Sequence, residues 1–293
     1  MNQGFDPLSH SIAKETATLS TSLPISKASS IFVRADENRV DRMRAMISGP
    51  EGTPYAFGLW LFDVSYPVEY PNVPPVLKNL TTGNGTVRFN PNLYNEGKVC
   101  LSLLGTWSGS PEEMWRPGRS TILQVFISIS SMIFVDLPYF NEPGYGAPNA
   151  NNAQSQQYNY NIRRETIRWA VTEQLRRPPR GFEQVVQNHF RLLKSEVLAV
   201  ATQWAEDDPG TNAYGVPNGG FPLAQSSTRG RGRGGKSRGR GRGNTNGSSS
   251  GSATPTPTEP SNGDKGKGVA EQPVYKGGWD VILRDLRAEL EKL

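Results

Sequence analysis

One cysteine and two histidines are all that 293 residues contain of these types. A single thiol excludes an internal disulfide and fits a reducing compartment, so cytoplasm or nucleus is the expected location. His10 and His189 fall on separate predicted helices far from the cysteine. They suit neither a nucleophile–base pair nor a metal cluster, and no metal or other cofactor is expected. Long apolar runs are missing too. The longest, Ile122 to Val135, is interrupted by Ser128, Ser130 and Ser131, which leaves it too short to span a bilayer. No basic stretch followed by a long apolar one opens the chain, so neither a secretory signal nor a membrane partner is expected. Large apolar residues are nearly absent from 207–272, and this lowers the hydrophobic content to 35%.

These shifts in composition divide the chain into three. Residues 1–206 carry globular patterning. Residues 207–277 are rich in Gly, Ser, Thr, Asn and Pro, which cannot bury enough surface to offset chain entropy, and form an expected disordered linker. Residues 278–293 place Trp279, Ile282, Leu283, Leu286, Leu290 and Leu293 on one stripe of a short amphipathic helix. Such a helix is marginal alone, and docking on the globular part or on a partner is expected. The formal charge of +5 is local, since seven positive charges lie between Arg229 and Arg242 and the remainder comes to −2. Among them Arg229, Arg231, Arg233, Arg238, Arg240 and Arg242 alternate with Gly, as in RG-rich tracts that bind RNA phosphates weakly and without sequence preference. A solvated basic linker fits equally, because no aromatics are interleaved for stacking.

Periodicity places a first helix from Asp6-Pro7 to about Thr18. Strands follow at Ile31–Ala35, Val40–Ser48, Phe57–Val64 and from Pro75. Helices are then predicted from a Ser120 cap to about Val135, over Tyr158–Arg176, and over Phe182–Ala205. Strands followed by helices imply an α+β domain, a four-stranded antiparallel meander with helices on one side.

The cysteine ends the run Arg88-Phe89-Asn90-Pro91-Asn92-Leu93-Tyr94-Asn95-Glu96-Gly97-Lys98-Val99-Cys100. Asn-Pro-Asn and Asn-Glu-Gly read as consecutive turns. A thiol beside carboxamides can carry an acyl group as a thioester while an amide N–H steadies the oxyanion. A small buried residue in an apolar strand is the plainer alternative. The active reading requires the sulfur to be reachable from solvent.

Three landmarks in order favour the active reading. Asn90-Pro91-Asn92 resembles the His-Pro-Asn tripeptide of ubiquitin-conjugating (E2) enzymes, with Asn92 eight positions before Cys100. Tyr70-Pro71-Asn72-Val73-Pro74-Pro75 is similar to the family's Tyr-Pro-x-x-Pro-Pro signature, and Trp107 with Trp115-Arg116-Pro117 to its tryptophan loop. Phe89–Tyr94 and Pro138–Tyr145 resemble the large, BRUCE-like branch of that family. The resemblance implies the E2 (UBC-like) fold and a Cys100 thioester of ubiquitin. It implies an E1 activating enzyme that alone uses ATP, and an E3 and a protein substrate as further partners.

The resemblance also assigns roles. Asn92 donates to the oxyanion or holds the loop that does; a local turn bond is its alternative. Asn90 replaces the family's His, which is thought to brace the loop, and reads as structural alongside Pro91. Ser102 stands where many relatives have an acidic residue. A free lysine is neutral only about 0.04% of the time at pH 7, so the acceptor needs help, and Glu142 in Asn141-Glu142-Pro143 is the candidate to orient it. A turn cap or a solvated carboxylate is the alternative for Glu142, and packing is the alternative to walling the approach for Tyr139 and Tyr145. Ser108–Met114 reads as an insertion relative to small E2 enzymes, which screens the thioester, restricts E3 binding or lies passively at the surface. Two other functions remain at this level: a catalytically quiet ubiquitin- or partner-binding module, and an RNA-tethered scaffold.

Overall fold

The computed structural model describes residues 7–26, 29–210 and 278–293. The expectations placed on Asp6, on most of the linker and on the arginines of the RG tract lie outside these residues. Strands β1 (Ile31–Ala35), β2 (Arg42–Ser48), β3 (Leu59–Ser65) and β4 (Val76–Asn79) form one antiparallel sheet in sequential order. The register sets Ala45 opposite Phe62 and Ile47 opposite Trp60, so the period-2 pattern gathers apolar side chains on one face. Helix α1 (Pro7–Ser22) and helix α2 (Ile122–Ser128) cover that face, with Ile12, Leu19, Val125 and Phe126 in its core. Helix α1 runs past the expected Thr18. The hydroxyls of Thr16 and Thr18 bond back to the carbonyls of Ile12 and Lys14, which satisfies these side chains within the helix.

The opposite face is covered as well, against the expectation of helices on one side only. Met46, Leu59 and Leu61 form a second core with residues of helices α5 (Glu183–Leu192), α6 (Lys194–Asp207) and α7 (Trp279–Leu290). The apolar residues on both faces of β3 need exactly such double burial in physical terms, since a face left in water would forfeit their transfer energy. The single helix predicted over Phe182–Ala205 is two, broken where Leu193 leaves helical geometry at φ −110° and ψ 15°.

Two helices widen into π turns. Helix α3 (Ala153–Glu165) starts five residues before the predicted Tyr158, because Asn152 caps it through Ser155 N, and continues as a π turn over Thr166–Thr172 into α4 (Glu173–Arg176). Helix α2 starts at a Thr121–Gln124 capping box, one residue beyond the predicted Ser120 cap, and ends in a π turn at Ile129–Ile133.

Helix α7 packs Ile282, Leu286 and Leu290 into the second core. Its polar contacts are specific: Arg176 Nε lies 3.1 Å from Glu289 Oε1, and Trp279 Nε1 donates to Asp208 Oδ2 at 2.7 Å. Burial opposes the Glu289 charge, but Lys292 and Arg176 outweigh it and hold its carboxyl below the usual range. Leu286 is fully buried. Leu286→Ala is therefore expected to cost about 2–5 kcal/mol of stability, read as a lower urea midpoint. An unchanged midpoint would mean that α7 adds nothing to the fold.

Candidate active site

The loop before the cysteine is built by side chains bonding to backbone. Asn90 is fully buried. Its Nδ2 donates to Tyr55 Oη at 3.0 Å and to Ile133 O at 2.8 Å, and its Oδ1 accepts from Asn92 N at 2.9 Å. Tyr55 Oη donates in turn to Phe89 O at 2.8 Å. The Ile133 carbonyl comes from the π turn that ends α2, where helix-end acceptors lack intrahelical donors. Asn141 Nδ2 uses the neighbouring Met132 O at 3.0 Å, which anchors the segment bearing Glu142. One irregular helix end thus positions both the cysteine loop and the acidic residue.

Cys100 and Asn92 pair closely. Cys100 N donates to Asn92 O at 2.9 Å, and Asn92 Nδ2 donates to Cys100 O at 2.9 Å. Thr106 Oγ1 braces the same turn, donating to Val99 O at 2.7 Å and accepting from Leu101 N at 3.0 Å. Gly97 takes φ 97° to close the turn, and an added Cβ there would meet Asn79 O at 2.6 Å.

The thiol itself is covered. Cys100 is only 1% exposed, which corrects the expectation of a solvent-reachable sulfur. Among its neighbours in the chain, Asn92 and Tyr94 are half-buried and Asn95, Glu96 and Lys98 are exposed. Burial pushes the Cys100 thiol up from its ordinary value; Lys98, Arg88 and Tyr94 oppose that shift and Glu96 adds to it.

Glu142 neither caps a turn with its side chain nor stands free in solvent. Its Oε2 lies 3.3 Å from Arg88 Nη2, which also donates to Pro91 O at 2.6 Å. Ser102 faces away from this group and toward the insertion, its Oγ donating to Ser108 O at 3.3 Å. Gly109 fits closely there, since a Cβ would meet Ser102 Oγ at 2.5 Å. Of the two loop tryptophans, Trp107 is half-buried, while Trp115 Nε1 donates to Pro71 O at 2.8 Å and joins the loop to the proline signature. Tyr139 is buried against Tyr145, with ring centroids 4.6 Å apart, and donates to Gln154. His189 is bonded to Phe57 O at 2.9 Å. Among the described residues no cluster of metal-ligating side chains occurs, and no helix is long and apolar enough to cross a membrane. Sequence reasoning passed over Tyr55, Arg88, Tyr94 and Thr106. Only the adjacency of Arg88 and Tyr94 to the Asn-Pro-Asn step hinted at their involvement.

Residues 11–168 match the family described as Ubiquitin-conjugating enzyme, and the chain belongs to that family. It is 51% identical over 200 residues to the human "Dual E2 ubiquitin-conjugating enzyme/E3 ubiquitin-protein ligase BIRC6", covering 67% of this chain and 4% of that protein. It is 47% identical over 199 residues to the Caenorhabditis elegans "Probable ubiquitin-conjugating enzyme protein 17", covering 67% of this chain and 27% of that one. To the Arabidopsis thaliana "Putative ubiquitin-conjugating enzyme E2 38" it is 44% identical over 182 residues, covering 61% and 55% respectively. The chain therefore spans a small fraction of the first relative and about half of the last. The family and the likeness to the BIRC6 E2 region agree with the resemblance read from the motifs.

Proposed function

We propose that this chain accepts the C-terminal glycyl group of ubiquitin from an E1 enzyme on Cys100 and passes it to a lysine of a protein substrate, with an E3 as organising partner. The Cys100 thiolate attacks the E1 thioester carbonyl, and the E1 sulfur leaves. The neutral lysine amine then attacks the new thioester; a C–N bond forms, the C–S bond breaks, and the amine proton passes through solvent to the departing Cys100 thiolate. At an ordinary pKa near 8.5 the thiol is about 3% thiolate at pH 7, and burial lowers that fraction. Exchange with an already activated thioester tolerates this. No cofactor enters either step, because E1 alone consumes ATP. A reducing compartment, cytoplasm or nucleus, keeps the thiol available.

The observation that carries this reading is the reciprocal pairing of Asn92 with Cys100 at the end of a braced loop. Because the thiol is covered, charging requires that cover to move. Incubation with E1, ATP and ubiquitin is expected to produce an adduct about one ubiquitin larger on a non-reducing gel, removed by thiol reductant. If no such band forms with ubiquitin or any related modifier and its own E1, the chain acts as a binding module only.

A further inference from the structure

Arg88 joins the two sides of the site. One guanidinium nitrogen, Nη2, reaches Pro91 O at 2.6 Å and Glu142 Oε2 at 3.3 Å, while the guanidinium carbon lies 4.1 Å from the centroid of the Tyr94 ring. Lys98 Nζ stands 5.5 Å from the same ring. Tyr94 is therefore held by two cations, in the stacked geometry that favours arginine over lysine at short range. The Tyr94 hydroxyl favours the charged form of the Cys100 thiol, which is itself covered. On the far side, the carboxylate available to orient an acceptor amine is already occupied by a guanidinium. The side chains of Arg88 and Glu142 are 19% and 29% exposed, so their pairing is only partly screened by solvent.

A lysine ammonium and the Arg88 guanidinium make the same demand on Glu142. Both are cations with N–H donors, and both seek the same carboxylate. We propose that Arg88 is a positioning residue of the acceptor site: it holds Tyr94 over the thiol and Glu142 in reserve, and the acceptor lysine enters by exchanging with it at the Glu142 carboxylate. This rests on the reading of Cys100 as the thioester residue. Recruitment of the acceptor and uncovering of the sulfur then become one event. Water and thiols, which carry no cation, do not trigger the exchange.

The test starts from the Cys100–ubiquitin thioester, purified from E1 and ATP, and discharges it to free L-lysine over a concentration series. Arg88→Gln removes the competing cation and is expected to lower the KM for lysine by about three- to tenfold, the range of one ordinary hydrogen bond, since solvent partly screens the pair. Glu142→Gln should raise KM, and Arg88→Gln should lower it no further in that background. A general loss of structure would raise KM or reduce kcat in both. Uncharged protein supplies the second arm: iodoacetamide should alkylate Cys100 faster in Arg88→Gln than in the parent chain. Should Arg88→Gln unfold, as judged by thermal melting, Arg88→Lys answers the same question, with KM near the parent value but faster alkylation, since it keeps the cation and loses the flat stack. An unchanged or raised KM from a preformed thioester overturns the exchange, and unchanged alkylation overturns the cover. Failure of the parent chain to form any thioester counts against Cys100 as acceptor instead, and the alkylation arm still decides the role of Arg88.

Discussion

Cys100→Ala is expected to abolish ubiquitin transfer, and Cys100→Ser to leave an adduct that resists thiol reductant. An oxyester is a poorer acyl donor to amines than a thioester, because the alkoxide is a much worse leaving group than the thiolate. The serine variant should therefore load, slowly, and then stall. Loading will be slow for a further reason: a serine hydroxyl is far less acidic than the thiol, and it would inherit the same covered position, 1% exposed in the parent residue. Since Cys100 is the chain's only cysteine, no second thiol can substitute. The measurement is a gel of the E1 reaction run with and without reductant. A reductant-sensitive band persisting in Cys100→Ala would place the acyl group elsewhere and end the proposal.

Asn92→Ala is expected to slow discharge of the thioester by about 10²–10³-fold, the usual effect of losing one oxyanion donor. A carboxamide nitrogen has two N–H groups. One is committed to Cys100 O at 2.9 Å; in the proposed reaction the other would donate to the oxyanion of the acyl group on the Cys100 sulfur. Removal also strips a partner from the carbonyl of a buried residue, which costs about 1–3 kcal/mol of stability. The backbone bond from Cys100 N to Asn92 O survives in the alanine variant, so the turn is weakened rather than lost. Single-turnover discharge to lysine separates the two effects, because it is read from protein already loaded. A decrease below threefold, with lowered melting temperature, would leave Asn92 as a turn brace alone.

Much of the site's outline was legible because turn chemistry acts locally. Pro91, Gly97 and the asparagines around them dictate reversals within a few residues, whatever the rest of the chain does. The sheet was legible for a similar reason: alternation in Met43, Ala45 and Ile47 repeats at the strand period. Boundaries were less so. The polar residues Gln154, Ser155 and Gln156 carry no apolar stripe, yet they are helical because Asn152 caps them. The break at Leu193 has no Pro or Gly to announce it.

Sequence alone determined where the thiol sits in the chain, which carboxamide precedes it and in what order the strands run, since each depends on neighbours within about ten residues. The tertiary structure alone decided that the sulfur is covered, that Glu142 is held by Arg88, and that α7 returns to close the second core. The last two join residues 54 or more positions apart, as Arg88 and Glu142 are, and no periodicity or turn preference reaches that far. They follow from which surfaces meet once the two cores have excluded water.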